Sequence, residues 1–239
     1  MNQFLMLSPH YPQRLFQFAR YLRAAGFRVT GMGDAVWEQL QADLRANLSA
    51  YRQIDLGCYS GKGRFDEGRY DLLYRATASL IAEQGRPGWI ESFNEYWLPL
   101  EARLRLEFNV PGPKPDDLEW MIRKSRMKEV FRRAGATVAP GELAVELDRV
   151  LEFLDREQTI IIKPDIGVGA SDTHRIGSPE EARRFWAERD PGTRYFMERF
   201  IDGPDRELVS YDGLCDGNGD VVFATVHPCN EGLMEIVAG

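Results

Sequence analysis

Three prolines fall within five residues at Pro111-Gly112-Pro113-Lys114-Pro115. Proline fixes φ and has no amide hydrogen, so this stretch cannot continue a helix or a central strand. The chain must therefore build in two parts. The first part opens on Phe4 to Leu7, a short apolar run that reads as a buried strand. Leu15, Phe18, Ala19 and Leu22 then recur at i, i+3, i+4 and i+7, which gives a helix one apolar face. Ala24-Ala25-Gly26 ends that helix, and Phe27 to Thr30 begins a second strand. A helix between two strands so close in sequence implies a βαβ unit and a parallel sheet. Asp71 to Ala82 reads as another helix, Trp89 to Ser92 as a strand, and Tyr96 to Phe108 as a helix. Residues 1–110 are thus expected to form one small, doubly wound α/β domain.

Beyond the prolines, one helix is expected from Asp116, with Glu119 placed as in a capping box. Its apolar positions are Met127, Val130, Phe131 and Ala134, and Gly135 ends it. A helix around Asp148 to Leu154 follows. The β-branched run Thr159-Ile160-Ile161-Ile162 then leads as a strand into Lys163. Ser178-Pro179-Glu180-Glu181 opens a helix with a cap, a proline in the first turn and an acid at N3. Tyr195 to Phe200 and Glu207 to Leu214 read as strands. Asp216-Gly217-Asn218-Gly219 is a turn, with Asp220 to Val226 pairing back as a hairpin.

Composition excludes several classes. The net charge of -7 argues against broad nucleic-acid binding, which needs a basic face to neutralise phosphates. A few placed lysines can still serve one small anion. Cys58, Cys215 and Cys229 form no CxxC and have no histidine cluster beside them, so neither a zinc site nor a disulfide framework is expected, and a cytoplasmic location fits. The first twelve residues lack a basic leader, and no apolar run approaches the ~20 residues of a membrane span.

Three segments carry chemistry. In Lys163-Pro164-Asp165-Ile166-Gly167-Val168-Gly169-Ala170-Ser171, a lysine at a strand end enters a loop of small residues, where backbone N–H groups can approach an anion closely. It is not a Walker A loop, because the lysine precedes the glycines. Lys124-Ser125-Arg126-Met127-Lys128 is a basic helix segment. Met197-Glu198-Arg199-Phe200-Ile201-Asp202-Gly203 precedes a further acid, Glu207. Taken singly these are a tight turn, a solvated helix face and an ordinary strand.

In this order and spacing, the three segments resemble the ATP-grasp superfamily, which includes biotin carboxylase, the carbamoyl phosphate synthetase large chain and D-alanine–D-alanine ligase. The resemblance covers roughly residues 115–239, and the first part suits the family's Rossmann-like pre-ATP-grasp domain. It implies a pre-ATP-grasp domain over 1–110, a first ATP-grasp subdomain over 111–193 and the start of a second over 194–239, the ATP-grasp domain being an incomplete α+β unit. It implies that Lys124 and Lys163 contact ATP phosphates and that Gly167, Gly169 and Ser171 belong to the loop closing over them. Glu198, Arg199 and Ile201 match the segment that reads adenine, and Glu207 the acid on the ribose hydroxyls. The implied chemistry is transfer of the ATP γ-phosphate to a small-molecule carboxylate, followed by attack of an amine or thiol on the acyl phosphate. The implied magnesium ligands are expected beyond residue 239, since Glu235-Ile236-Val237 lacks the family's asparagine.

Strand ends in open parallel sheets carry ligands, so Asn94 and Glu95 are candidate acceptor-site residues, while His10 reads as a solvated loop histidine. Gly31-Met32-Gly33 is a poor dinucleotide fingerprint because Val36 replaces the last glycine, and Gly61-Lys62-Gly63 lacks the upstream glycine of a P-loop. The apolar Val221, Val222, Phe223 and Val226 are expected to pack on further sequence, a second chain or another copy. A nucleotide-binding module without turnover, and a biotin-carboxylase-like or carbamoyl-phosphate-synthesising subunit, stand beside the ligase as alternatives.

Overall fold

The structure is a computed structural model that describes residues 2–55, 67–167, 172–202 and 207–229, with the backbone alone for 67–69. Gly61-Lys62-Gly63, Gly169, Ser171 and Glu235 to Val237 lie outside the described residues. The chain divides into two compact units, Met1–Met121 and Ile122–Gly239.

The first unit holds a four-stranded parallel sheet of β1 (Gln3–Leu7), β2 (Arg28–Gly33), β3 (Ala50–Gln53) and β4 (Trp89–Glu91), in the order β3-β2-β1-β4. The helices are α1 (Phe16–Ala24), α2 (Ala42–Asn47), α3 (Glu67–Gln84) and α4 (Leu98–Glu107). Strand β1 is buried throughout because both its faces are covered, as parallel strands require. Phe4 and Met6 join Leu15, Ala19, Val29 and Leu44 in one core. Leu5 and Leu7 point the other way, into a core with Leu73, Leu80, Trp97, Leu100 and Leu104.

The glycines of Gly31-Met32-Gly33 are explained by packing. A Cβ on Gly31 would lie 2.9 Å from the Tyr51 ring and 3.0 Å from Leu48 Cδ1.

Below the sheet, Arg105 ties α4 to the linker. It is 2% exposed, and its guanidinium donates to Ile90 O at 2.6 and 3.0 Å and reaches Glu91 and Glu101, each at 2.9 Å. Gly112, at φ +112°, lets the linker pass against this side chain, since a Cβ there would sit 3.0 Å from Arg105 Cδ and Nε.

The prolines interrupt the chain, but Pro115 is the first residue of a helix, α5 (Pro115–Ile122). Its missing amide hydrogen has no helical partner at that position, so it is tolerated there. The expected capping box from Asp116 is replaced by a different contact, in which the Asp117 carboxylate accepts from Lys114 N at 2.7 Å. The single helix expected from Asp116 to Ala134 is two. Arg123, at φ -84° and ψ 117°, is extended and separates α5 from α6 (Lys124–Arg133).

The second unit has a four-stranded sheet of β5 (Gly141–Ala144), β6 (Ile160–Pro164), β7 (His174–Ile176) and β8 (Tyr195–Arg199), ordered β5-β8-β6-β7 with antiparallel pairings. Helices α7 (Leu147–Glu157) and α8 (Pro179–Glu188) cover one face. Val150, Phe153 and Leu154 of α7 and Ala182 and Phe185 of α8 pack on Ile160, Ile162, Ile176, Tyr195 and Met197. Ser178 Oγ accepts from Glu181 N at 3.2 Å, as the sequence predicts. Strands β9 (Leu208–Cys215) and β10 (Val221–Cys229) form a separate antiparallel ribbon closed by the Asp216–Gly219 turn. Its Tyr211, Leu214, Val222, Phe223 and Val226 are all exposed.

Candidate functional site

The face of the second sheet opposite α7 and α8 gathers the charged residues. Lys163 is opposite Phe196, and Ile161 is opposite Glu198. Side chains alternate along a strand, so Lys163, Phe196 and Glu198 share this face while Ile162 and Met197 enter the core. Lys163 and Glu198 are diagonal neighbours, close enough for a cross-strand ion pair. The Lys163 ammonium donates to Glu198 Oε1. Lys128, one turn into α6, takes the other oxygen, with Nζ to Oε2 at 2.5 Å. Lys128 also donates to Ala139 O at 2.9 Å and lies 5.6 Å from the centroid of the Phe196 ring.

One carboxylate thus holds two ammonium groups. Burial by itself would raise the Glu198 carboxyl, but the Lys163 and Lys128 charges and their hydrogen bonds outweigh it, so the carboxyl lies below its ordinary value. A carboxylate lowered in this way stabilises the fold above the unfolded pKa, and that contribution is lost as pH falls through the folded value. Glu198→Gln is therefore expected to be less stable than the parent near neutrality, with the gap closing below about pH 4. Urea unfolding of both proteins across pH measures it, and a gap that stays constant with pH contradicts this account.

The third lysine stands where the loop begins. Lys124 is the first residue of α6, and its ammonium donates to Gly167 O at 3.1 Å. Its amide donates to Asp165 O at 2.9 Å. The Asp165 carboxylate, 1% exposed, accepts from Ser125 N at 2.9 Å and Ser125 Oγ at 3.1 Å, with Arg123 at 3.6 Å. Arg123, at the N-cap position, supplies no side-chain cap of its own.

The remaining candidates are less concentrated. Arg199 turns to Glu157, Nε to Oε2 at 2.5 Å, and Ile201 is 56% exposed. Glu207 is exposed just ahead of β9. In the first unit, Asn94 Oδ1 accepts from Tyr96 N at 3.0 Å and caps a short 3-10 turn, while Glu95 is exposed. Asn94 therefore has a local structural use that its sequence context did not announce. His10 is not a solvated loop residue: it is half-buried with Nε2 3.3 Å from Asp34, and burial lowers its pKa despite the pull of that carboxylate. Sequence reasoning missed Lys128 as a member of the cluster. The signal present was its spacing of one turn from Lys124.

Two ammonium groups that share one carboxylate, and a third at the start of a glycine-rich loop, make a donor set suited to a polyphosphate. No three His, Cys, Asp or Glu side chains among the described residues come together to hold a metal ion. Among the described residues, no helix is long and apolar enough to cross a membrane.

No protein-family model matches the chain, and no curated relative was found. Solved structures do match. The biotin carboxylase domain of Hydrogenobacter thermophilus 2-oxoglutarate carboxylase, in complex with MgADP, ADP and bicarbonate, aligns with a TM-score of 0.69 at 17% identity, over 92% of this chain and 48% of its own. N5-carboxyaminoimidazole synthetase from Staphylococcus aureus complexed with ADP aligns with a TM-score of 0.67 at 14% identity, over 97% and 55%. L-amino acid ligase from Bacillus licheniformis aligns with a TM-score of 0.63 at 16% identity, over 97% and 52%. The chain spans about half the length of these structures. A parallel four-stranded sheet followed by the antiparallel sheets is the arrangement it shares with them, so over that span the chain has the fold of ATP-grasp ligases.

Proposed function

We propose that this chain binds ATP on the Lys163–Glu198 face and serves an ATP-dependent carboxylate–amine or carboxylate–thiol ligase that works through an acyl phosphate. The observation that carries it is the meeting of Lys128 from α6 and Lys163 from β6 at Glu198, with Lys124, one turn before Lys128, donating to Gly167 O. Lys124 and Lys163 bind phosphates in this reading, and Gly167, Gly169 and Ser171 cover them. Glu198 to Ile201 line the adenine, and Glu207 holds the ribose. Asn94 and Glu95 belong to the acceptor carboxylate site. The pre-ATP-grasp domain is 1–110, and the ATP-grasp subdomains are 111–193 and 194–239, in a cytoplasmic protein. Work on the transferring phosphoryl group is mostly positioning and neutralisation of charge.

Magnesium would add charge neutralisation, with ligands from outside the described residues. A nucleotide-binding module without turnover of its own is the second reading. Calorimetric titration of the whole chain with ATP and with ADP tests the shared part. Saturable one-to-one binding that weakens with salt is expected, and heats no larger than dilution with both nucleotides would sink the proposal. Phosphate release against a panel of carboxylic acids and amines separates the ligase from the module.

A further inference from the structure

Helix α6 carries Lys124 and Lys128, yet none of its residues is buried. A helix with a buried apolar stripe is fixed by packing, whereas one without it depends on its polar contacts. Two ties to the sheet stand out. Lys128 grips Glu198 one turn into the helix, and Asp165 grips the N-terminus. Asp165 is the stronger anchor for three reasons. Its carboxylate is almost wholly buried. It accepts from both the amide and the hydroxyl of Ser125, and its own carbonyl accepts from Lys124 N. The charge also lies at the positive end of the helix dipole, where an anion is favoured. In addition, the Asp165 amide donates to Arg194 O at 2.8 Å, immediately ahead of β8. One buried residue thus joins the start of α6, the end of β6 two residues past Lys163, and the entry to the strand that carries Glu198.

Resting on the ATP reading above, we infer that Asp165 is a positioning residue for the nucleotide site. It sets where Lys124 stands relative to Lys163, and it does so through the helix rather than by touching the ligand. With alanine at 165, the first turn of α6 loses its borrowed cap. Asparagine keeps one acceptor oxygen for the Ser125 amide but loses the charge, so it should restore part of the function.

The test titrates ADP into the full chain and its variants, and follows amide hydrogen exchange at residues 124–128. Asp165→Ala is expected to weaken ADP about tenfold, the equivalent of a lost helix cap, with Asp165→Asn intermediate. Exchange should quicken in the first turn of α6 and not in β6 or β8. The double variant Asp165→Ala/Lys124→Ala should bind no more weakly than Lys124→Ala alone. Additive losses, or unchanged exchange in α6, overturn the inference. Full affinity in Asp165→Ala beside a loss in Lys163→Ala overturns the positioning role and leaves the nucleotide reading standing. Full affinity in Lys163→Ala removes that reading and the positioning role with it. Should Asp165→Ala fail to fold, Ser125→Ala removes one partner and keeps the carboxylate. A few-fold loss of ADP affinity with faster α6 exchange then supports the role, and no change in either overturns it.

Discussion

Replacing Lys163 with alanine is expected to weaken ATP binding by about 2–4 kcal/mol, measured by calorimetry on the whole chain. A unit charge about 4 Å from a phosphate, at an effective dielectric near 20, gains about 4 kcal/mol before desolvation. Two corrections lower that figure. The lysine side chain is 25% exposed, so solvent screens part of the attraction. It also already holds Glu198, so a phosphate gains only the difference between two partners. Arginine at 163 keeps the charge but not its point-like reach, and should recover part of the affinity. Equal affinity in parent and Lys163→Ala would remove this residue from the site.

The second large effect belongs to the first unit. Arg105→Met should cost about 3–5 kcal/mol of stability, because it leaves buried carboxyl and carbonyl oxygens without their donor. Glu101 is wholly buried in the structure and loses its only guanidinium contact among the described residues, while Ile90 O loses two donors. Methionine fills most of the volume, so cavity formation is a minor part of the loss. The pH dependence adds a sign. Burial first, and then the Glu91 carboxylate, push the Glu101 carboxyl up to about 8 against the pull of Arg105. A carboxyl raised in the fold contributes most at low pH and loses that contribution as pH climbs through the raised value. Without Arg105 only the Ser92 hydrogen bond still opposes the rise, so the deficit of the variant should widen as pH climbs past about 8, where the parent's carboxyl ionises and the variant's does not. Denaturant unfolding at several pH values decides it. A deficit under about 1 kcal/mol would mean that the buried guanidinium is replaceable by packing alone.

Legibility of the fold followed the range of the forces involved. Ile160-Ile161-Ile162 reads as a strand because β-branching acts within the residue. The Ser178 cap reads directly because donor and acceptor lie three residues apart. The break at Arg123 is invisible for the opposite reason. Helical periodicity runs through it, and the contact that holds the start of α6 comes from Asp165, 40 residues beyond Ser125. Strands β5 and β7 are short and have no continuous apolar run, so their neighbours in the sheet define them rather than their own residues. In the candidate site, spacing singled out Lys124 and Lys163. It could not show that Glu198 would meet Lys128, because that pairing depends on where α6 is docked against the sheet.

The shared carboxylate has a thermodynamic consequence. Two ammonium groups held side by side without it would repel each other and draw in any passing anion. With Glu198 between them, one of the two positive charges is already offset at rest, and an arriving anion must compete with an incumbent instead of filling an empty positive well. Affinity for such a ligand is then an exchange free energy, moderate in size even when each new contact is strong. Selectivity follows as well: a singly charged anion offers little that Glu198 does not already supply, whereas a group able to engage several cations at once can win the exchange.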